Sequence, residues 1–289
     1  MAEPVEPDVD LEAERERMLD SWELAATGWG RQADGVRKRG LPVAEWMLDH
    51  AGLQPGQRVL ELAAGPGDVG FMAAQRIRPG GTLVSSDAAE AMLEVAKERA
   101  AEQGIENVEF RQLQLEWIDL ETASVDVVLC RWGVMLTVDP GAALQECRRV
   151  LRPGGRIAMA VWDVPEVNPW ATMPFDAMAK RGLLEEPKPG GPGMFSLATP
   201  GRLAEMLQEA GFVEVTVEPV SIAGVYEAPI EWLGETVDCS QMFGRAWRAL
   251  DDERRREVRA ELDAAAREFT DPDGTIRIPG RSLGAVADA

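Results

Sequence analysis

The chain has little of what several large enzyme classes need. Its 289 residues contain one histidine, one tyrosine and three cysteines. Cys130, Cys147 and Cys239 lie far apart and form no C-x-x-C, so neither a disulfide scaffold nor a zinc site is expected, and no metal is assigned. A Ser-His-Asp system would have to use His50, and no G-x-S-x-G accompanies it. His50 instead closes a helical stretch, "PVAEWMLDHAG". Neither H-E-x-x-H nor G-x-x-x-x-G-K-[ST] occurs. No stretch approaches the roughly 20 apolar residues of a membrane helix. The opening "MAEPVEPDVDLEAERER" is acidic and lacks the apolar core of a signal peptide, so a cytoplasmic protein without a membrane partner is expected. The formal net charge is −20, which argues against nucleic acid as a partner. The two basic runs, "GRQADGVRKRG" and "DERRREVR", read as solvated faces.

What is present is alternation. Residues 1–16 are rich in Pro and Glu and are expected to be loose at the start. A helix is expected from about Leu11 to Ala26, and another in "LPVAEWMLDHAG". Then "RVLEL", "TLVSSD", "VEFRQL", "SVDVVLCRW" and "RIAMAVW" read as strands, with helical segments between most of them. "FVEVTVEPV" and "SLGAVAD" supply two more strands after an irregular insertion. Short connections between alternating strands and helices imply parallel pairing and right-handed crossovers. The expected fold is α/β, a doubly wound, mostly parallel seven-stranded sheet with a helical cover. Its expected parts are N-terminal helices over the ligand (1–50), an α/β core (51–163), an insertion or lid (164–198), a continuation of the core (199–228), a helical cover (229–272) and a final strand (273–289). Ligands of such sheets sit beyond the carboxyl ends of the central strands.

"VLELAAGPGDVG" holds a literal G-x-G-x-x-G, Gly65 to Gly70, the string associated with dinucleotides. An NAD(P)-dependent oxidoreductase is therefore the alternative to weigh. Three residues separate the strand-end acid Glu61 from Gly65, whereas a dinucleotide loop starts directly after its strand. A carboxylate there attracts an ammonium and not a diphosphate, and Pro66 removes one N–H from a phosphate cradle. The chain's one tyrosine, Tyr226, is followed by isoleucine at Ile230, so no Tyr-x-x-x-Lys pair exists. Asp87 ends the second strand, where a carboxylate can accept both hydroxyls of a ribose or cap the helix that follows. A binding protein that kept the fold but lost its chemistry is a third reading.

These stretches resemble the class I S-adenosylmethionine-dependent methyltransferases, of the small-molecule type related to quinone-biosynthesis methyltransferases. "VLELAAGPGDVG", "LVSSDAAEAMLEVAKERA", "VEFRQLQLEWIDLETASVDVVLCRWGVML" and "ALQECRRVLRPGGRIAMAVW" follow in the family's order from about Leu41 to Trp162. The resemblance implies S-adenosylmethionine as cofactor, with S-adenosylhomocysteine as product and a small-molecule methyl acceptor. It implies Glu61, Ala63, Gly65 and Gly67 around the methionine part, and Asp87 on the ribose. Ala88, Met92, Gln114 and Leu115 would flank the adenine, and Arg131 and Trp132 would lie beneath the methionine part. Trp29 is the candidate aromatic cover from the N-terminal helices. Two positions depart from the family: Ala63 stands where glycine is usual, and Gln114 where an acid is frequent.

Methyl transfer asks mainly for alignment and exclusion of water, and a base only where the nucleophile must lose a proton. No catalytic residue stands out. Asp163, Tyr226, Glu231 and Asp238 lie in or near the cover segments and are expected at the surface. Trp162, Trp170, Phe175, Phe195, Trp232, Met242, Phe243 and Trp247 cluster in the later segments. They form either an aromatic acceptor pocket or the cover's own core. Monomer and homodimer are equally compatible.

Overall fold

A computed structural model describes residues 11–184 and 191–289. The expected loose start, as far as residue 10, and residues 185–190 of the insertion lie outside the described residues. Strands β1 (Arg58–Leu62), β2 (Thr82–Asp87), β3 (Val108–Gln112), β4 (Val125–Arg131) and β5 (Leu151–Trp162) pair in parallel. β6 (Val213–Tyr226) and β7 (Ile276–Asp288) complete one seven-stranded sheet of order β3-β2-β1-β4-β5-β7-β6, with β7 antiparallel to both neighbours. Val59, Leu60 and Leu62 of β1 are wholly buried, as a central parallel strand covered on both faces requires. Burying each such side chain contributes about 1.5–3 kcal/mol. The order reverses between β1 and β4, so the crevice lies at their carboxyl ends.

Helices α2 (Asp68–Arg76), α3 (Glu90–Gln103) and α4 (Pro140–Val150) follow β1, β2 and β4. α4 shows its start signal plainly: Asp139 Oδ1 accepts from Ala142 N at 2.9 Å, and Pro140 occupies the first turn. An Asp139→Ala change is expected to cost about 1 kcal/mol, read as a fall of a few degrees in the melting temperature.

The N-terminal region corrects the expectation of two helices after a loose start. One helix, α1, runs unbroken through Leu11–His50, with Pro42 inside it. Glycines at 28, 30, 35 and 40 lie in the stretch between the two expected helices, and each costs about 1 kcal/mol against alanine in a helix. Tertiary contact explains three of them. A Cβ at Gly28 would lie 2.1 Å from the Asp238 carbonyl oxygen, at Gly30 3.3 Å from Val95, and at Gly40 2.5 Å from the Arg131 guanidinium. The glycines let α1 lie flush on its neighbours.

The second half adds α5 (Pro169–Ala179), α6 (Arg202–Glu209), α7 (Pro229–Cys239), α8 (Gln241–Ala249) and α9 (Asp252–Ala266). β6 and β7 are longer than the sequence suggested and run past β5, pairing as far as Tyr226 with Ile276. Their ends join α5, α7, α8 and α9 in a core separate from that of the sheet, built on Trp232, Phe243, Val258, Leu262 and Ile278. Among the described residues no helix is long and apolar enough to cross a membrane.

Candidate active site

The cavity opens where β1, β2 and β4 end. Glu61 is buried beneath it, accepting from Gly70 N at 2.7 Å and from Ser85 Oγ at 3.2 Å. A Cβ at Gly70 would meet this carboxylate at 2.0 Å, so the last glycine of the string makes room for Glu61. Burial pushes the Glu61 carboxyl up to about 7, against the pull of the Gly70 N–H and the Arg131 charge. Gly65 faces open space, with nothing within 4 Å of where a Cβ would stand. The cavity wall passes through Gly65, Pro66 and Val69, while a Cβ at Gly67 would meet the Phe71 ring at 2.4 Å. Its glycine is a packing requirement, with φ of 89°.

Ala63, the departure from the family pattern, sits in the left-handed region at φ 50°. Its methyl group occupies space next to Gly133, where a Cβ would approach it to 2.5 Å. Glycine at 133 thus accommodates alanine at 63. Trp132 also has positive φ, 60°, and is held by three contacts. It stacks on Trp162 at 4.2 Å, donates Nε1–H to Ser282 Oγ at 2.9 Å and lies under the Arg131 guanidinium at 4.6 Å.

Asp87 accepts from Gly65 N at 2.9 Å and from Ala89 N at 3.0 Å, so it ties the glycine loop to the start of α3. Burial raises its carboxyl above the ordinary value, against these amide bonds. Two of roughly four lone-pair positions are used, which leaves acceptor capacity for a diol. Besides its place over the Trp132 ring, Arg131 has two long polar contacts, 3.4 Å to the Gly40 carbonyl and 3.6 Å to Asp68 Oδ2. Most of its five N–H donors remain for an anion. Ala88, Met92, Gln114 and Leu115 line the same cavity, with Gln114 two residues past the end of β3.

The fourth wall is α1. Trp29 lines the cavity, and so do Arg15, Met18, Leu19 and Trp22, which sequence reasoning missed. The signal was present: positions 15, 18, 19, 22, 26 and 29 follow helical spacing. Arg15 Nε and Nη2 donate to the two oxygens of Glu116 at 3.2 Å each, pinning α1 to the loop after β3. Across the cavity, Leu136, Thr137 and Val138 continue the wall beyond Trp132.

Of the two readings of the cover aromatics, the structure favours the cover's own core for several. Trp232 and Phe243 lie in the cover's own core, with Phe175 and Trp247 packed against it. Trp162 and Trp170 continue the stack behind Trp132, and Phe195 packs on the sheet core. Two residues expected at the surface are buried: Asp163, paired with Arg281 at 2.5 Å, and Tyr226. Arg39, from a run read as solvated, is buried with Glu235 as its ion-pair partner and Tyr226 Oη at 3.3 Å. His50 stacks on Trp46 at 4.4 Å, away from the cavity wall.

Comparison with known proteins agrees with this geometry. Residues 53–211 match the family model described as a methyltransferase domain. Nocamycin O-methyltransferase of Saccharothrix syringae is 33% identical over 233 residues, 76% of this chain and 81% of that protein. Arsenite methyltransferase of Halobacterium salinarum is 34% identical over 169 residues, 58% of this chain and 40% of that protein. Phospholethanolamine N-methyltransferase 2 of Haemonchus contortus, solved with phosphomonomethylethanolamine and S-adenosylhomocysteine, shares the fold at a TM-score of 0.59 and 17% identity, over 94% of this chain and 60% of that one. An acid-led glycine loop, a strand-end aspartate above it and a family match across the whole α/β core converge on one assignment: the chain belongs to the S-adenosylmethionine-dependent methyltransferases.

Proposed function

We propose that the enzyme methylates a small hydrophobic molecule. The observation that carries this is the cavity wall left over once the cofactor's share is assigned. Met18, Leu19 and Trp22 of α1 face the same space as Leu136 and Val138; the polar groups among them are the Arg15–Glu116 pair and Thr137, whose hydroxyl donates to the Val134 carbonyl. Such a surface favours an apolar acceptor.

The wall fits the cofactor by its own chemistry. Glu61 would neutralise the ammonium, Arg131 would hold the carboxylate, and Asp87 would accept the ribose hydroxyls. Met92, Leu115 and Gln114 would enclose the adenine. When bound, S-adenosylmethionine supplies a methyl group on a sulfonium, which a nucleophile displaces in line. The residues around it then have two tasks, alignment and exclusion of water. Every carboxylate on the wall already has partners: Glu61 with Gly70 and Ser85, Asp87 with Gly65 and Ala89, and Glu116 with Arg15 and Asp139 N. The wall's part is to orient the acceptor against the methyl group.

The relatives' names span oxygen and arsenic acceptors, and the cysteines distinguish them here. A trivalent arsenic acceptor is soft and needs converging thiolates. Cys130 and Cys147 are buried in the sheet core and Cys239 ends α7. Burial pushes the Cys130 and Cys239 thiols up to about 12. Among the described residues no cluster of His, Cys, Asp and Glu is placed to hold a metal ion. In an assay of S-adenosylhomocysteine formation, aromatic, isoprenoid or polyketide-like acceptors should turn over and arsenite should not. Trp22→Ala should raise KM for such an acceptor about tenfold, the loss expected for a buried aromatic contact. Turnover of arsenite with none of the hydrophobic panel would overturn the proposal.

A further inference from the structure

Trp29 belongs to two places at once. One side of its indole lines the cavity beside Trp22, with ring centroids 6.0 Å apart. Its Nε1–H leaves the cavity and donates to the carbonyl oxygen of Cys239 at 3.0 Å. Cys239 is the last residue of α7, so this is one of the terminal carbonyls that no helical N–H can satisfy. α7 is a cover element: Trp232 and Leu233 on it are buried in the separate core of the cover.

The rest of the junction is polar and shaped. Arg31 Nη1 and Gln32 Nε2 each donate to the Asp238 carboxylate at 2.8 Å. Gly28 lies against the Asp238 carbonyl oxygen so closely that a Cβ would reach 2.1 Å. One turn back along α7, Glu235 pairs with buried Arg39. α7 is thus seated on α1 by a glycine notch and a row of hydrogen bonds, and one of those donors also forms the cavity wall. Contacts of this kind can be exchanged individually, whereas a packed apolar core changes as a unit.

We propose that Trp29 is a positioning residue that couples occupancy of the cofactor cavity to the seating of the end of α7 and the start of α8. A ligand against the ring fixes its rotamer. A fixed ring holds Nε1–H on the Cys239 carbonyl and restrains the turn into α8, where Ser240 Oγ accepts from Phe243 N at 3.3 Å. The cofactor would then help to hold the cover against α1. This inference rests on the cofactor assignment of the cavity.

Hydrogen–deuterium exchange on the intact chain, with and without S-adenosylhomocysteine, tests it alongside calorimetric titration of the same ligand. In the unaltered protein the ligand should slow exchange across residues 236–244 by about fivefold, the ratio expected of one hydrogen bond made persistent. Trp29→Phe keeps a ring and removes the N–H. It should still bind S-adenosylhomocysteine, weakened less than tenfold, while the ligand no longer slows exchange at 236–244. Gly28→Ala lies outside the cavity wall and forces the Asp238 carbonyl away, so it should abolish the same response with Trp29 intact. If Trp29→Phe binds no ligand, Gly28→Ala decides alone. A merely structural Trp29 would raise exchange equally with and without ligand. Ligand binding by the unaltered protein without a change at 236–244, or undiminished protection in the variants, overturns the proposal. Failure of the unaltered protein to bind the ligand would remove the cofactor assignment itself, and this inference with it.

Discussion

A Glu61→Gln variant should bind S-adenosylhomocysteine about 10–100 times more weakly than the unaltered protein at pH 8, yet fold more stably there without ligand. Both effects come from one buried carboxyl group. Burial holds it near 7, while in the unfolded chain its ordinary value is 4.5. Between those values the folded protein binds a proton that the unfolded chain has released, so stability falls as pH rises from about 4.5 to 7 and is level above. The loss over that window is about 3 kcal/mol. Glutamine is neutral throughout and escapes it. Its amide oxygen can still accept from Gly70 N, and the Ser85 hydroxyl can rotate to accept from its amine. The cost appears on binding. An ammonium beside Glu61 favours the ionised form, so affinity in the unaltered protein should rise with pH up to about 7, with a proton released below it. Calorimetry in two buffers of different ionisation enthalpy measures that proton. A dissociation constant that stays level from pH 5.5 to 8 would refute the role of Glu61, whatever Glu61→Gln does.

Asp87→Ala should be more damaging, with affinity for S-adenosylhomocysteine falling by at least about 100-fold. The change removes the acceptor for the ribose hydroxyls, and hydrogen bonds to a charged group contribute about 1.5–3 kcal/mol each. It also strands Gly65 N and Ala89 N, which now donate to the carboxylate at 2.9 and 3.0 Å. Leaving such groups unpaired should destabilise the fold by about 2 kcal/mol, or roughly 4–8 °C in melting temperature. Asp87→Asn separates the two contributions. It keeps an oxygen for one amide and loses the other, so it should recover part of the melting temperature and little of the affinity. Binding by Asp87→Ala at unaltered strength would refute the ribose assignment and leave Asp87 as a loop-to-helix tie alone.

The parts of the site that could be read from the chain are those fixed by where strands end. Glu61 is the next-to-last residue of β1 and Asp87 the last of β2, and an open α/β sheet presents its strand ends to the ligand, so residue type and position sufficed. The same applies to Arg131 at the end of β4. Gly67 shows the limit of a motif. Its place in the string resembled that of Gly65, yet only packing reveals that one glycine opens onto the cavity and the other makes room for Phe71.

The remainder depended on contacts between distant segments. Two separate helices were expected where α1 runs as one, and with the gap after Ala26 went the continuous face from Arg15 to Trp29 that forms the cavity's fourth wall. Three of the glycines in α1 are explained by Asp238, Val95 and Arg131, which lie 65 to 210 residues away along the chain. The cover aromatics were visible as a composition, but burial against one another or against a ligand gives the same apolar pattern in sequence. The sequence by itself determined the sheet, its glycine loop and the acids at its strand ends, because strand periodicity and turn chemistry act locally. The tertiary structure decided that α1 continues as one helix, that most of the aromatics face away from the cavity, and that Trp29 reaches both the cavity and the end of α7, because each depends on close approach between surfaces that only the folded chain brings together.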